Sequence, residues 1–424
     1  MRSQAARRSV PRARFAWAVL GVTAWLALAA LIGLMYVQRN PPSAGFDLEL
    51  LLEGARRAAA GLTPYDPGLI AGQPVEIQSL FYSYPPLVAQ AMTLVSWLPS
   101  PIVLAAWDVG AVIAAIAVAG LIERRMTGQP ATFRLQVFAL LPLWFPFAIA
   151  LMFGNLDAWF AAAFGLVLVA VMNDADDDEA GLASARRDIV VAGVALALVS
   201  ITKLHPASLG LWFLVRGARA RFTAGRRRDL PASWRILAVA AIVGGAALAT
   251  SIVVGGVGPW RDYLAVLRAG VNVDLLDARN LGPSVQVALA AGLGPEAVRT
   301  LQVAVTGLAI VATAAVAWRL RDPVESLAWA TVASFVVLPV TWFHYPSALI
   351  PFAVVAVVRS MAAGAAARRR TVTFLGAALA LGILGLGLPI MWLSVLALLL
   401  GVRASRGPLG PSVAPAPGPL PVGA

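Results

Sequence analysis

Apolar runs long enough to cross a membrane alternate along this chain with short basic turns. The first runs from Phe15 to Val37. Pro86 to Leu98 and Ile102 to Ile122 then flank Pro99-Ser100-Pro101, and Phe133 to Met152 and Leu156 to Met172 flank Gly154-Asn155. Ile189 to Val215 is interrupted by Lys203-Leu204-His205-Pro206, which makes it long for one crossing and short for two. Leu237 to Gly256, Ala297 to Trp318, Ser326 to Pro339, Tyr345 to Val358 and Thr371 to Leu400 complete the series. At ~20 residues per crossing, this pattern predicts roughly eleven to thirteen membrane segments. The spans are expected to be helices, because a helix satisfies its own backbone polar groups in lipid and few period-2 segments are present.

Two stretches break the alternation. Residues 38–85 hold Asp47, Glu49, Glu53, Asp66 and Glu76, and close on Phe81-Tyr82-Ser83-Tyr84-Pro85-Pro86. Within them Leu48, Leu51, Leu52, Ala55 and Ala59 recur at helical spacing, with Glu49, Glu53, Arg56 and Arg57 opposite. This predicts a short helix lying along the membrane surface, with Glu53 and Arg57 paired. Residues 257–284 form the second stretch, with Trp260-Arg261-Asp262-Tyr263 and Asp277-Ala278-Arg279-Asn280.

Composition fits this reading. The 424 residues are 60% hydrophobic and 13% charged, with mean hydropathy +0.80, whereas about a quarter of a soluble chain is charged. The formal net charge of +12 is almost all arginine, clustered beside apolar runs. That is the pattern of cytoplasmic turns rather than of a nucleic-acid surface, so no nucleic-acid partner is expected. Residues 1–14 carry five arginines and no acid, which predicts a cytoplasmic N-terminus and places both polar stretches outside. The first apolar run is longer than a signal-peptide core and lacks a cleavage pattern, so a retained span is expected. With no cysteine, disulfides and thiolate metal sites are ruled out. The Pro/Gly/Ala-rich tail, 403–424, is expected to be disordered.

Candidate chemistry collects near the external stretches. Asp47 could take a proton from an acceptor hydroxyl as a general base, or it could cap the following helix. Lys203 and His205 interrupt an apolar run, where ionisable residues commonly face a polar cavity and could hold a phosphate. A lysine there could equally snorkel to the interface. His344, in Trp342-Phe343-His344-Tyr345-Pro346, is a candidate ligand or an ordinary interfacial residue. Arg279, Asn280 and Arg261 could bind phosphate or sugar hydroxyls. Asn155 and Asp157 begin a helix, where an acid also caps, and Tyr84 could stack on a sugar ring. No Walker, GxGxxG or HExxH pattern occurs, and two histidines form no metal-ligand pattern, so no metal site is expected.

Phe46-Asp47, Gly61-Leu62-Thr63-Pro64-Tyr65-Asp66 and Tyr84-Pro85-Pro86-Leu87, in this order, resemble family 87 of the glycosyltransferases, the polyprenyl-phosphate-mannose-dependent α-mannosyltransferases. Lys203-Leu204-His205-Pro206 is similar to the family's Lys-x-x-Pro element. Arg279-Asn280 with Ser284 resembles its Asn-containing loop, and Trp342-Phe343-His344 its Trp-x-His-His element. The sequence departs at Gly154-Asn155-Leu156-Asp157, where Gly-Gln-x-Asn is usual, and at Tyr345, where a second histidine is usual.

The resemblance implies a GT-C-like helical bundle, residues 15–402, whose external loops carry short helices and whose active site faces outward. It implies a polyprenyl-phosphate sugar donor, a glycolipid or glycan acceptor, and neither nucleotide nor obligatory metal cofactor. Asp47 would act as the base in an inverting transfer. Lys203, His205, His344 and Arg279 would face the donor phosphate, and Tyr65, Asp66, Tyr84, Asn155, Asp157 and Asn280 the sugar or acceptor. An arabinofuranosyl donor, or a lipid or sugar transporter, are the alternative readings. A transporter would place its polar residues at a mid-bilayer repeat interface, whereas most of these lie in external loops.

Overall fold

The computed structural model describes residues 2–38, 44–73, 82–129, 131–172, 179–223, 230–269, 279–385 and 389–406. Among them lie eighteen α-helices and no strand. The helices are α1 (Arg2–Gln38), α2 (Phe46–Ala59), α3 (Pro67–Ile70), α4 (Pro86–Met92), α5 (Ser100–Thr127), α6 (Arg134–Leu140) and α7 (Phe145–Met152). Next come α8 (Phe160–Met172), α9 (Glu179–Thr202), α10 (Leu209–Thr223), α11 (Ala232–Gly255), α12 (Gly258–Ala269) and α13 (Pro283–Ala290). The last are α14 (Pro295–Arg319), α15 (Pro323–Phe335), α16 (Ile350–Ala362), α17 (Ala365–Gly385) and α18 (Met391–Ala404). Most of the tail expected to be disordered lies outside the described residues, as do Glu76 and Phe81.

Among the described residues five helices are long and apolar enough to cross a membrane, or six if the bent pair α6–α7 counts as one span. The other apolar runs are shorter or broken helices, and the breaks follow the prolines. The expected span from Pro86 to Leu98 is a seven-residue helix followed by turns. Pro142 and Pro146 accompany a 73° bend between α6 and α7. Proline has no N–H for the helix ladder and its ring crowds the preceding turn, so each such position interrupts the rod. In the middle of the bundle sits α8, hydrophobic all round and buried along nearly its whole length, as expected for a helix with no solvent or lipid face. It packs on α5, α9, α15 and α16.

The helices share a direction of charge. α5 starts at Ser100, whose hydroxyl donates to Glu49 at 2.6 Å, and carries in its last turn Arg125, which pairs with Asp188 in the first half of α9 at 2.9 Å. α9 then returns to Lys203 beside the start of α2. At the same arginine-rich end Arg216 donates to the Leu320 carbonyl at 2.6 Å. There Asp322, which caps α15, also receives Arg359 at 2.6 Å and Arg406 at 2.8 Å. One end of the bundle therefore gathers arginines and the other gathers Asp47, Asn155, Asp157, Lys203 and His344.

A second, smaller core covers the latter end. Leu48, Leu51, Leu52 and Ala55 of α2 are buried with Tyr65, Tyr82, Val88 and Tyr263, and α2 packs on α4. The apolar face of α2 is thus covered by protein, not laid on a membrane surface as its amphipathicity suggested. Gly54 permits this approach, since a Cβ there would stand 2.4 Å from the Tyr82 ring. The expected Glu53–Arg57 pair does not form. Arg56 instead pairs with Glu49 at 2.7 Å, while Arg57 donates to the Thr63 and Tyr65 carbonyls, holding the turn that ends α2.

Candidate active site

The site is built where α2 meets the end of α7. The first backbone N–H groups of a helix and its last carbonyls have no partners inside the helix. Here each end serves the other. The N–H of Gly45 donates to the Met152 carbonyl at 2.8 Å, and those of Asp47 and Leu48 to the Phe153 carbonyl at 2.9 and 3.1 Å. Gly154, with φ +63°, turns the chain out of α7, and a Cβ at that position would stand 2.7 Å from Leu48 Cβ. This close join brings the Asp47 side chain against Asn155.

The capping role weighed for Asp47 is not what its carboxylate does. The residue at the N-cap position of α2 is Gly45, without a side-chain bond. Asp47 Oδ2 accepts from Asn155 Nδ2 at 2.5 Å. Asn155 Nδ2 also lies 3.3 Å from His344 Nε2. Its Oδ1 accepts from the Asp157 N–H at 2.9 Å and from Lys203 Nζ at 3.1 Å. Asp157 Oδ2 lies 2.5 Å from His344 Nδ1, and its Oδ1 lies 3.0 Å from Lys203 Nζ. Asp157 is fully buried, and Asn155, His344 and the Lys203 side chain nearly so.

Four separate elements supply these groups. Lys203 follows α9 directly, where Pro206 breaks the run into a 3-10 turn before α10. His344 arrives on the segment after α15. Asn280 holds that segment, its Oδ1 accepting from the Gly282 and Thr341 N–H groups and its Nδ2 donating to the Pro339 carbonyl. Asn280 therefore staples the backbone of that segment, with its oxygen on two N–H groups and one amide N–H on a carbonyl.

Tyr65, Asp66 and Tyr84, expected at the sugar or acceptor, stand in different surroundings. Tyr65 is buried and donates to the Tyr84 carbonyl at 2.8 Å, while burial pushes its phenol far above the ordinary range. Asp66 caps α3, accepting from the Gly68 N–H at 2.7 Å and the Leu69 N–H at 3.3 Å. Tyr65 belongs to the smaller core described above, and exposed Asp66 starts the short helix beside it. Tyr84 does border the site. Burial first, then the charges of Asp47 and Asp157, raise its phenol well above its usual value.

His205 is fully buried in an aromatic box, stacked on Tyr345 at 4.4 Å and flanked by Phe160 and Phe335. Both its ring nitrogens lack partners among the described residues. A phosphate expected there would meet ring faces, not an open surface. Arg279 is exposed at the start of the described part of its loop.

Tyr345 was not singled out for chemistry by the sequence. Its ring lies beneath Lys203, with Nζ 5.0 Å from the centroid, and against His205. It occupies the position where the resemblance leads one to expect a second histidine. The aromatic-rich Trp342-to-Pro346 stretch was the signal that could have marked it.

Two helix ends docked head to tail, a half-buried carboxylate and a lysine on a broken helix make a small polar centre at one end of an apolar bundle. No curated protein matches the chain. The sequence model of the family described as Glycosyltransferase family 87 matches residues 82–339, a stretch that includes Asn155, Asp157, Lys203 and His205 and leaves Asp47 and His344 outside it. With more than half of its length matched and an all-α, multi-spanning architecture, the chain belongs to glycosyltransferase family 87 and is a membrane glycosyltransferase.

Proposed function

We propose that the protein transfers a sugar, mannose, from a polyprenyl-phosphate donor to a glycolipid or glycan acceptor at the outer face of the cytoplasmic membrane. One observation carries the reading. Asp47 has one carboxylate oxygen anchored by Asn155, and no partner among the described residues reaches the other. A half-fixed carboxylate of this kind suits a general base, which must be oriented yet keep an oxygen for the incoming hydroxyl.

In the proposed step the acceptor O–H gives its proton to Asp47 while the oxygen bonds to the anomeric carbon. The bond from that carbon to the phosphate oxygen breaks with inversion, and polyprenyl phosphate departs with the electron pair. Lys203 has three N–H donors. One is directed at Asn155 Oδ1 and the ammonium stands 3.0 Å from Asp157 as an ion pair, which leaves donor capacity to steady the growing charge on the phosphate. Arg279 is the second cation assigned to the phosphate.

His344 is removed from that group, because Asp157 and Asn155 engage both its ring nitrogens. His205 is removed too, because it is enclosed. The segregation of arginines at the opposite end of the bundle supports an outward-facing site, since cytoplasmic ends of spans carry the excess of Lys and Arg.

The test is transfer by purified protein in lipid nanodiscs supplied with radiolabelled polyprenyl-phosphate mannose and an alkyl mannoside acceptor. An α-mannosidic product formed from the β-linked donor is expected. Absence of transfer, with transfer from a polyprenyl-phosphate arabinose instead, would replace the sugar. Absence with every polyprenyl-phosphate sugar would overturn the donor assignment.

A further inference from the structure

Asn155 occupies a place for which a sugar contact was the natural expectation, yet its amide has nothing left to offer a sugar. Its two N–H bonds are directed to Asp47 Oδ2 and His344 Nε2, and its oxygen takes the Asp157 N–H and Lys203 Nζ. That is every hydrogen-bonding site an Asn side chain has. Only one orientation of the amide works. Turning it over would press its oxygen against a carboxylate oxygen at 2.5 Å and its nitrogen against an ammonium.

The same reasoning fixes the histidine. Asp157 Oδ2 is an acceptor, so His344 Nδ1 carries the hydrogen between them. Asn155 Nδ2 is a donor, so His344 Nε2 is bare. The tautomer follows from the bonds that the two ring nitrogens make.

We propose that Asn155 is the positioning residue of the site: its amide aims Asp47 at the acceptor and holds His344 as the neutral Nδ1–H tautomer. It touches neither the breaking bond nor the acceptor and acts only through these two neighbours. The proposal rests on Asp47 being the general base. An amide suits the place because it can donate to a carboxylate and an imidazole at once while accepting from an ammonium, and it never ionises. Around it stand Asp47 from α2, Asp157 from the turn before α8, Lys203 and His205 from the break between α9 and α10, His344 and Tyr345 from the segment after α15, and Tyr84. The Trp107 indole of α5 donates to the Asn155 carbonyl at 3.4 Å. Any charge introduced at 155 is felt by all of these.

Two variants test this in the full-length protein in nanodiscs, with polyprenyl-phosphate mannose and the alkyl mannoside as probes. Asn155→Leu releases Asp47, and displacement of a reacting group by about 1 Å costs about a hundredfold in rate. A fall in kcat of about a hundredfold is expected, with the donor KM within about twofold of the parent. Asn155→Asp keeps the volume, so it reads the same question without a cavity. It sets a carboxylate against both Asp47 and His344 Nε2. The acid limb of its pH–rate profile should move to higher pH, and nitrogen-15 spectra should show His344 as an imidazolium at neutral pH.

The chain has two histidines, so a His205→Gln comparison assigns the resonances. A folded Asn155→Leu protein with kcat within threefold of the parent would overturn the proposal. So would an Asn155→Asp protein whose His344 spectrum and pH profile match the parent. A parent protein that transfers no sugar would instead strike at the function itself, while the spectra would still report on the tautomer.

Discussion

Asp47 and Asn155 are 108 positions apart in the chain, and their side chains meet at 2.5 Å. The contact exists because the open N–H groups at the start of α2 find the open carbonyls at the end of α7, so two short helices share one join. Everything proposed for the chemistry depends on that join holding a carboxylate at the rim of a buried polar cluster.

Replacing the carboxylate by an amide should therefore stop the reaction without loosening the fold. Asp47→Asn is expected to lower kcat by about 10²–10⁴-fold, the usual contribution of a general base. Its thermal melting should stay close to the parent. Full transfer by this variant would remove Asp47 from the mechanism.

Lys203 has two separable roles. Its side chain is 9% exposed and faces the fully buried Asp157 at 3.0 Å. Removing one partner of a buried ion pair strands the other and costs about 3–5 kcal/mol. Lys203→Met should melt earlier and bind donor more weakly. Adding Asp157→Asn should restore much of the stability but none of the donor affinity, as read from melting curves and donor KM. Recovery of both together would mean that Lys203 serves the fold alone.

Gly154 has φ +63°, and a Cβ there would stand 2.7 Å from Leu48 Cβ and 2.9 Å from Leu104 Cδ1. Gly154→Ala should cost about 1–3 kcal/mol from overpacking, with about a further 1–2 kcal/mol from the left-handed backbone. Because Leu48 follows Asp47, activity should fall more steeply than stability. Melting temperature and kcat measured on the same preparation give the comparison.

At the opposite end Asp322 caps α15 and receives Arg359 and Arg406. Asp322→Ala removes the cap, worth about 0.5–2 kcal/mol, together with two ion-pair partners. It should lower the melting temperature while leaving kcat and donor KM of the folded fraction unchanged. A change in donor KM would link the arginine-rich end to the site.

The chain lacks cysteine, so single cysteines report sidedness directly. Leu62, 58% exposed near the end of α2, and Gln129, exposed beyond the end of α5, lie at opposite ends of the bundle. An impermeant maleimide applied to intact cells should label Leu62→Cys and spare Gln129→Cys. The reverse pattern would turn the site to the cytoplasm.

Much of this protein is set by local order along the chain. Membrane-length apolar runs, arginines beside them and prolines inside them determine a helical bundle, its basic turns and the places where its rods break. Lys203 and His205 stood out because charge is costly in an apolar run, and Asp47 because a carboxylate followed the first span. What those residues do was decided elsewhere. Hydrogen-bond partners depend on which chain segments meet, and no periodicity records a contact between positions as distant as 47 and 155 or 157 and 344. The backbone partners of Asn280 and Tyr65, at positions 339, 341 and 84, come from packing that no local pattern records. Asn155 looks like a helix cap, and tertiary contacts complete its remaining bonds. Burial enforces this division, because a polar group enclosed in an apolar bundle must find partners among whatever the fold brings near.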